Sequence, residues 1–167
     1  MTQTLKGTRW AGLFSSASGE WETPQDLFDA LDAEFLFEVD VCARAENAKR
    51  ATFFSPDDDG LSQPWRGVCW MNPPYGRSIG RWMEKAYRET RSPHCRVVAL
   101  VHARTDTAWW HEWAMKAAEL RFIRGRLRFR HATGNQASCP FPSLILVFHH
   151  DSEGPPIVRT WSLEGET

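Results

Sequence analysis

The apolar run Val68-Cys69-Trp70-Met71 stops on Asn72-Pro73-Pro74-Tyr75, followed by Gly76. Few local patterns restrict a chain more. Neither proline can donate a backbone hydrogen bond, so a strand over 68–71 has to end there. The two rings also stiffen the backbone, so the Asn72 carbonyl and the peptide oxygens after it point in set directions. An aromatic ring follows at once. The result is a pair of acceptors beside a stacking platform, which suits a planar group carrying an NH2, such as adenine. A Pro-rich loop closing a strand would account for the prolines but leaves the asparagine unexplained.

The remaining pattern predicts one α/β domain. A chain of 167 residues with 42% hydrophobic and 25% charged residues can bury a sizeable core. Residues 1–20, rich in Ser, Thr and Gly, read as a flexible lead-in, and 21–162 as a single domain. Thr23 reads as a helix N-cap with Pro24 at the first helical position, and Leu27, Phe28, Leu31 and Phe35 keep a helical period over 24–34. A strand is expected over 35–41, a short one over 52–54, and the motif strand over 68–71. A helix over 78–90, a buried strand over 96–101 and a helix over 106–117 starting at Asp106 follow. Leu120 to Ile123, a buried strand over 143–148, apolar after Ser143, and an edge strand over 157–161 complete the set. Strands alternating with helices imply a mixed, mostly parallel sheet flanked by helices.

Charge and cysteines narrow the function classes. A net charge of −1 excludes coating nucleic acid by bulk charge and leaves a local basic face as the route. Arg121, Arg124, Arg126, Arg128 and Arg130 fall within ten residues. In an extended strand, Arg126, Arg128 and Arg130 share one face, with Leu127 and Phe129 on the other. That face is either a phosphate-binding surface for DNA or a solvated strand. Arg104 follows a buried strand, at the carboxyl edge where open α/β sheets bind ligands, and is expected near substrate. Cys42, Cys69, Cys95 and Cys139 form no metal-type spacing, so no metal is expected, and packed, reduced thiols are. His149 and His150 are assigned to a strand end. No apolar run reaches about 18 residues and no signal-peptide pattern opens the chain, so a soluble, cytoplasmic protein without membrane partners is expected.

The Asn-Pro-Pro-Tyr block resembles motif IV of the S-adenosylmethionine-dependent amino-methyltransferases. Other blocks occur in order: Trp21-x-Thr23-Pro24 with Leu27-Phe28, Asp40-Val41-Cys42-Ala43, Asn47-Ala48-Lys49 and Asp59-Gly60-Leu61. Trp65, Ile79 and Trp82, Ala103 to Thr107 with Trp109-Trp110, and Gly125-Arg126-Leu127 come after them. Over roughly residues 20–148 the chain resembles the small phage and prophage DNA N6-adenine methyltransferases of the Dam type. The resemblance implies a Rossmann-like methyltransferase fold, S-adenosyl-L-methionine as cofactor, and double-stranded DNA with a flipped-out adenine as substrate.

The resemblance also implies roles for residues. Asn72 through its side-chain oxygen and Pro73 through its carbonyl would accept the two hydrogens of adenine N6, with Pro74 stiffening the turn and Tyr75 stacking on the base. Trp21, Thr23 and Pro24 match the segment that closes over the methionine end of the cofactor. Most such enzymes carry a Phe-x-Gly-x-Gly loop after the first strand; this chain has Asp40 and its neighbours instead, with Ala43 nearest to a permissive turn. Asp40 is then a cofactor residue or a turn carboxylate. One of Asp57, Asp58 and Asp59 would accept the cofactor's adenine amino group, with Asp58 favoured. The rival readings are transfer to cytosine N4, RNA adenine or a glutamine amide, and a catalytically inactive DNA-binding relative, kept open by the missing glycine loop.

Overall fold

The computed structural model describes residues 22–130, 136–139 and 141–163, without the side chains of residues 129, 130 and 136–138. The lead-in over 1–20 and Trp21 lie outside the described residues. Helix α1 spans Gln25–Phe35, and strands β1, β2 and β3 span Val39–Asp40, Thr52–Phe53 and Gly67–Met71. Helix α2 covers Ile79–Glu89, β4 Cys95–His102 and α3 Ala108–Glu112. After a 3-10 turn over Ala114–Lys116 come β5 (Glu119–Ile123), β6 (Arg128–Arg130), β7 (Gln136–Ser138), β8 (Ser143–Phe148) and β9 (Ile157–Trp161).

Seven strands form one sheet in the order β2-β1-β3-β4-β8-β5-β9, and β6 and β7 form a separate ribbon. β2, β1, β3 and β4 run parallel. β8 is antiparallel to both neighbours, β4 and β5, and β9 is parallel to β5. β8 is therefore the one reversed strand of a mixed, mostly parallel sheet, and the architecture is Rossmann-like α/β.

The period-two alternation of the strands divides the core into two layers. Cys69 and Met71, Val97, Ala99 and Val101, and Leu144, Leu146 and Phe148 face the layer that Ile79, Trp82, Met83 and Ala86 of α2 and Trp110 of α3 cover. Trp70, Val98, Leu100, Ile145 and Val147 face the opposite layer, covered by Leu27, Phe28, Leu31 and Phe35 of α1. All six residues of β8 are buried, as a strand covered on both faces requires. Each large side chain so buried contributes roughly 1.5–3 kcal/mol relative to exposure.

Several elements differ from expectation, each for a local reason. The strand expected over 35–41 is regular only at Val39–Asp40. α1 runs on through Phe35 and ends on Leu36 in the left-handed region (φ 57°), whose N–H donates to the Asp32 carbonyl. The next N–H, of Phe37, goes to the Asp32 carboxylate. Two backbone donors are thus spent on the helix cap before pairing with β3 begins at Glu38, whose N–H reaches the Val68 carbonyl. Thr23 is not the N-cap of α1. Pro24 holds that position, with no side-chain cap. The helix expected over 106–117 breaks at Trp113 (φ −127°), whose ring packs against Tyr87 and lies under Lys116. Its first turn begins after Thr107, not at Asp106. Of residues 124–130, only Arg128–Arg130 is strand.

Candidate active site

The loop after β1 leads to β2 on one side, whereas the chain leaving β3 leads through α2 to β4 on the other. Between the carboxyl ends of β1 and β3 the sheet therefore has a topological switch point, where open α/β sheets leave a crevice. A cavity of about 190 Å³ opens there. Asp40, at the end of β1, and Asn72, just beyond β3, both line it. Val39 and Asp40 pair in register with Cys69 and Trp70, which brings the two ends together.

Asp40 organises the turn after β1. It is 3% exposed. One carboxylate oxygen accepts the Lys49 N–H at 3.0 Å and the other the Cys42 N–H at 3.4 Å. Burial raises its pKa, and the two N–H groups oppose that rise. Ala43 is buried, and its N–H bonds the Phe54 carbonyl at 3.1 Å, closing the turn against the end of β2. Gly60 lies under the same turn. A Cβ there would clash with the Val41 carbonyl oxygen and crowd Trp82, so only glycine permits this approach. The Trp65 indole donates to the Gly60 carbonyl at 2.8 Å and pins the acidic turn in place.

Among the three aspartates the cavity wall carries Asp59, not the favoured Asp58. The Asp58 carboxylate is already engaged, accepting the Ser55 N–H at 2.8 Å and the Ser55 hydroxyl at 2.6 Å, and these bonds lower its pKa. Asp59 sits at φ 50°, which turns it out of the line of its neighbours. Pro24 stays at the helix start and is absent from the wall, whereas Thr23 lines it.

Asn72 is held from both ends of its amide. Its Nδ2 donates to Thr23 Oγ1 at 3.0 Å, and its Oδ1 accepts the Tyr75 hydroxyl at 2.9 Å. Thr23 thus spends its hydroxyl on the motif rather than on the helix. Asn72, Pro73 and Pro74 line the cavity, and Tyr75 does not. The Tyr75 ring stacks on His102 at 3.8 Å and 11° and faces a different hollow. Burial, and then Arg104, hold the His102 pKa at about 4, so the ring is neutral near pH 7. His102 Nε2 lies 3.2 Å from Cys139 Sγ. The Cys139 N–H bonds the Leu127 carbonyl at 2.9 Å. The segment carrying Arg126 and Arg128 is thereby tied to the end of β4 beside the motif.

The arginines separate into different environments. Arg126 and Arg128 are exposed on either side of buried Leu127, as the alternation predicts. Arg124 is exposed in the turn after β5, with its N–H on the Trp161 carbonyl. The Arg130 side chain lies outside the described residues. Arg121 leaves the basic cluster altogether. It is buried in β5, bidentate to Glu34 at 2.6 and 2.7 Å and bonded to Glu119 at 2.8 Å. Arg104 contacts Asp106 at 3.5 Å and lies over the Phe141 ring. Sequence reasoning singled out neither Phe54, which closes the turn, nor His102. The second left a trace, as a polar residue ending an apolar strand.

Other expectations have simple outcomes. All four cysteines are free, with Cys69, Cys95 and Cys139 buried. Among the described residues no helix is long and apolar enough to cross a membrane. His149 and His150 do follow the end of β8.

Comparison with known proteins adds a family. The sequence model described as DNA N-6-adenine-methyltransferase (Dam) matches residues 13–162. A DNA N-6-adenine-methyltransferase of Haemophilus phage HP1 is 30% identical over 106 residues, covering 62% of this chain and 61% of the relative. One from Escherichia phage T1 is 28% identical over 110 residues, covering 64% of this chain and 45% of the relative. The matched part is less than two thirds of either relative's length.

Proposed function

The chain belongs to the DNA N-6-adenine-methyltransferase (Dam) family, and from that premise we propose that it transfers a methyl group from S-adenosyl-L-methionine to the N6 amine of adenine in double-stranded DNA. One observation carries the reading. Asp40 and the Asn72-Pro73-Pro74 turn share one cavity at the switch point of a mixed, mostly parallel sheet. A methyl donor and an amine acceptor can meet there.

The cavity's chemistry fits the cofactor, which supplies an electrophilic methyl group when bound. The wall mixes the carboxylates of Glu22, Asp40 and Asp59 with the cations of Arg44 and Lys49, and adds the rings of Phe54 and Trp82. A ligand with a carboxylate, an ammonium, a sulfonium, a ribose and a purine needs such a mixture. Thr23, Asp40, Ala43 and Asn72 line the same wall and would hold it. Trp21 would close over it, whereas Pro24 caps α1 away from the wall.

The protein's part in the transfer is alignment and charge. Adenine N6 is a poor nucleophile because its lone pair is delocalised into the ring. Asn72 Oδ1 and the Pro73 carbonyl would accept the two N6 hydrogens and draw the nitrogen toward tetrahedral geometry. Tyr75 and Thr23 hold the amide for this task. No general base is needed, since the proton of the methylated ammonium is acidic enough to leave to water. The target base has to leave the duplex to reach Asn72 and stack on Tyr75. Arg104, Arg124, Arg126, Arg128 and Arg130 would meet the DNA in the cytoplasm, that of the host cell if a phage encodes the chain.

The test is methylation of defined duplexes with labelled S-adenosylmethionine, followed by digestion and identification of the labelled base. Label in N6-methyladenine is expected, and label in another base or in protein overturns the proposal. A narrower expectation concerns the exposed arginines. Replacing Arg126 and Arg128 with Ala should weaken binding to all duplexes about equally and lower the salt slope by roughly 0.9 per lost phosphate contact. A changed sequence preference at constant slope would instead make these residues base readers.

A further inference from the structure

Past the Asn72–Tyr75 turn from the cofactor cavity lies a second, larger hollow of about 690 Å³. The two share no wall residue: Asn72, Pro73 and Pro74 belong to the first, and Tyr75 and Gly76 begin the second. The turn is thus a partition. Arg77 and Arg81, at the start of α2, form one side of the second hollow, and Arg104 and Trp109, from the segment after β4, form another. α2 and α3 approach closely here, for a Cβ on Gly80 would stand 3.5 Å from Trp109 Cβ.

Charge and shape point to one kind of occupant. Arg77 and Arg81 are exposed and make no hydrogen bond or ion pair with a described side chain. Glu84 and Glu112 also lie on the wall, but Glu84 is engaged by Arg88 at 2.8 Å, so positive charge dominates. Trp109 is half-buried, with Trp110 edge-on to it at 5.9 Å. Cations beside an aromatic face are what a nucleic-acid strand with splayed bases requires, since phosphates meet the cations and a base meets the ring. The neighbouring Tyr75 is where the flipped adenine is placed above, so the flanking nucleotides have to pass close by.

We propose that this second cavity binds the nucleotides flanking the target adenine, with Trp109 stacking on a base and Arg77 and Arg81 pairing with phosphates. The proposal rests on the DNA-methylation reading and adds to it a strand-binding site outside the basic segment at 124–130.

Anisotropy of a short labelled duplex, and of one strand of it alone, tests this across a salt series, with calorimetry of S-adenosylhomocysteine binding on the same samples. Arg77→Ala with Arg81→Ala should lower the salt slope by roughly 0.9 per contact on duplex and 0.7 on single strand. Trp109→Ala should weaken strand binding about fivefold or more, and Trp109→Phe should keep most of it. Both should leave S-adenosylhomocysteine binding as in the wild type. Wild-type affinity and slope in the arginine pair, with cofactor-product binding intact, overturns the proposal while leaving the methylation reading standing. Saturation of the cavity by a free mononucleotide, with no gain from a longer strand, overturns it as well. A wild-type protein that binds neither S-adenosylhomocysteine nor DNA sinks the methylation reading itself. If Trp109→Ala fails to fold, the arginine pair and Trp109→Phe decide.

Discussion

Asn72→Ala should lower methyl transfer about 100- to 1,000-fold while leaving S-adenosylhomocysteine binding nearly unchanged. The magnitude is that of losing one preorganised hydrogen-bonding partner of a reacting group. The structure shows why this residue should act on the chemical step. Its amide is anchored to Thr23 at 3.0 Å and capped by Tyr75 at 2.9 Å, so its oxygen is aimed before substrate arrives. The cavity wall keeps Asp40, Lys49, Phe54 and Asp59 in the variant, so the proposed cofactor site loses one of its lining side chains. Single-turnover rates at saturating DNA, set beside calorimetry, separate the two effects. A variant that keeps more than half its rate, or loses product binding as steeply as rate, would show that Asn72 does not act on the target amine.

Arg121→Ala should destabilise the fold by about 3 kcal/mol, because removing one partner leaves buried carboxylate charge uncompensated. The side chain of Arg121 is 10% exposed and that of Glu119 14%, whereas Glu34 is 47% exposed and water can reach it, so the uncompensated charge is chiefly that of Glu119. Arg159 also pairs with Glu119 and limits the loss. In a domain of this size the expected fall in melting temperature is about 6–12 °C. The salt dependence of DNA binding should stay at the wild-type value. A stable variant with a reduced salt slope would return Arg121 to the DNA-facing set.

That contrast marks how far the sequence could be read. Apolar runs placed β3, β4 and β8 within a residue or so, since their burial on both faces leaves no other pattern. The motif placed the site at the end of β3, because two prolines end a strand whatever surrounds it. Residue type alone could not separate Arg121 from Arg126 and Arg128. The difference is made by Glu34, 87 residues away in sequence. Asp58 and Asp59 likewise look the same in a run of three, and only the capture of Asp58 by Ser55 tells them apart. The stretch 36–38 falls within the apolar-rich segment 35–41 that reads as strand. The demands of the helix cap override that pattern. The placing of Tyr75 against His102, and so the partition between two cavities, depends on a tertiary contact that no local pattern carries.

The reversed strand β8 has a consequence for the order in which the molecule can be built. β2, β1, β3 and β4 need only residues up to His102 to pair, and they include the strand ends that carry Asp40 and Asn72. β5 has no partner among them. It pairs only with β8 and β9, and the free edge of β4 pairs only with β8. As the chain leaves the ribosome, the half that carries Asp40 and Asn72 can therefore assemble first, while β4 presents an apolar, unpaired edge until residues 143–148 emerge. A ribosome stalled between those points would hold a nascent chain with the Asp40–Asn72 crevice in place and an open apolar sheet edge, a state prone to aggregation.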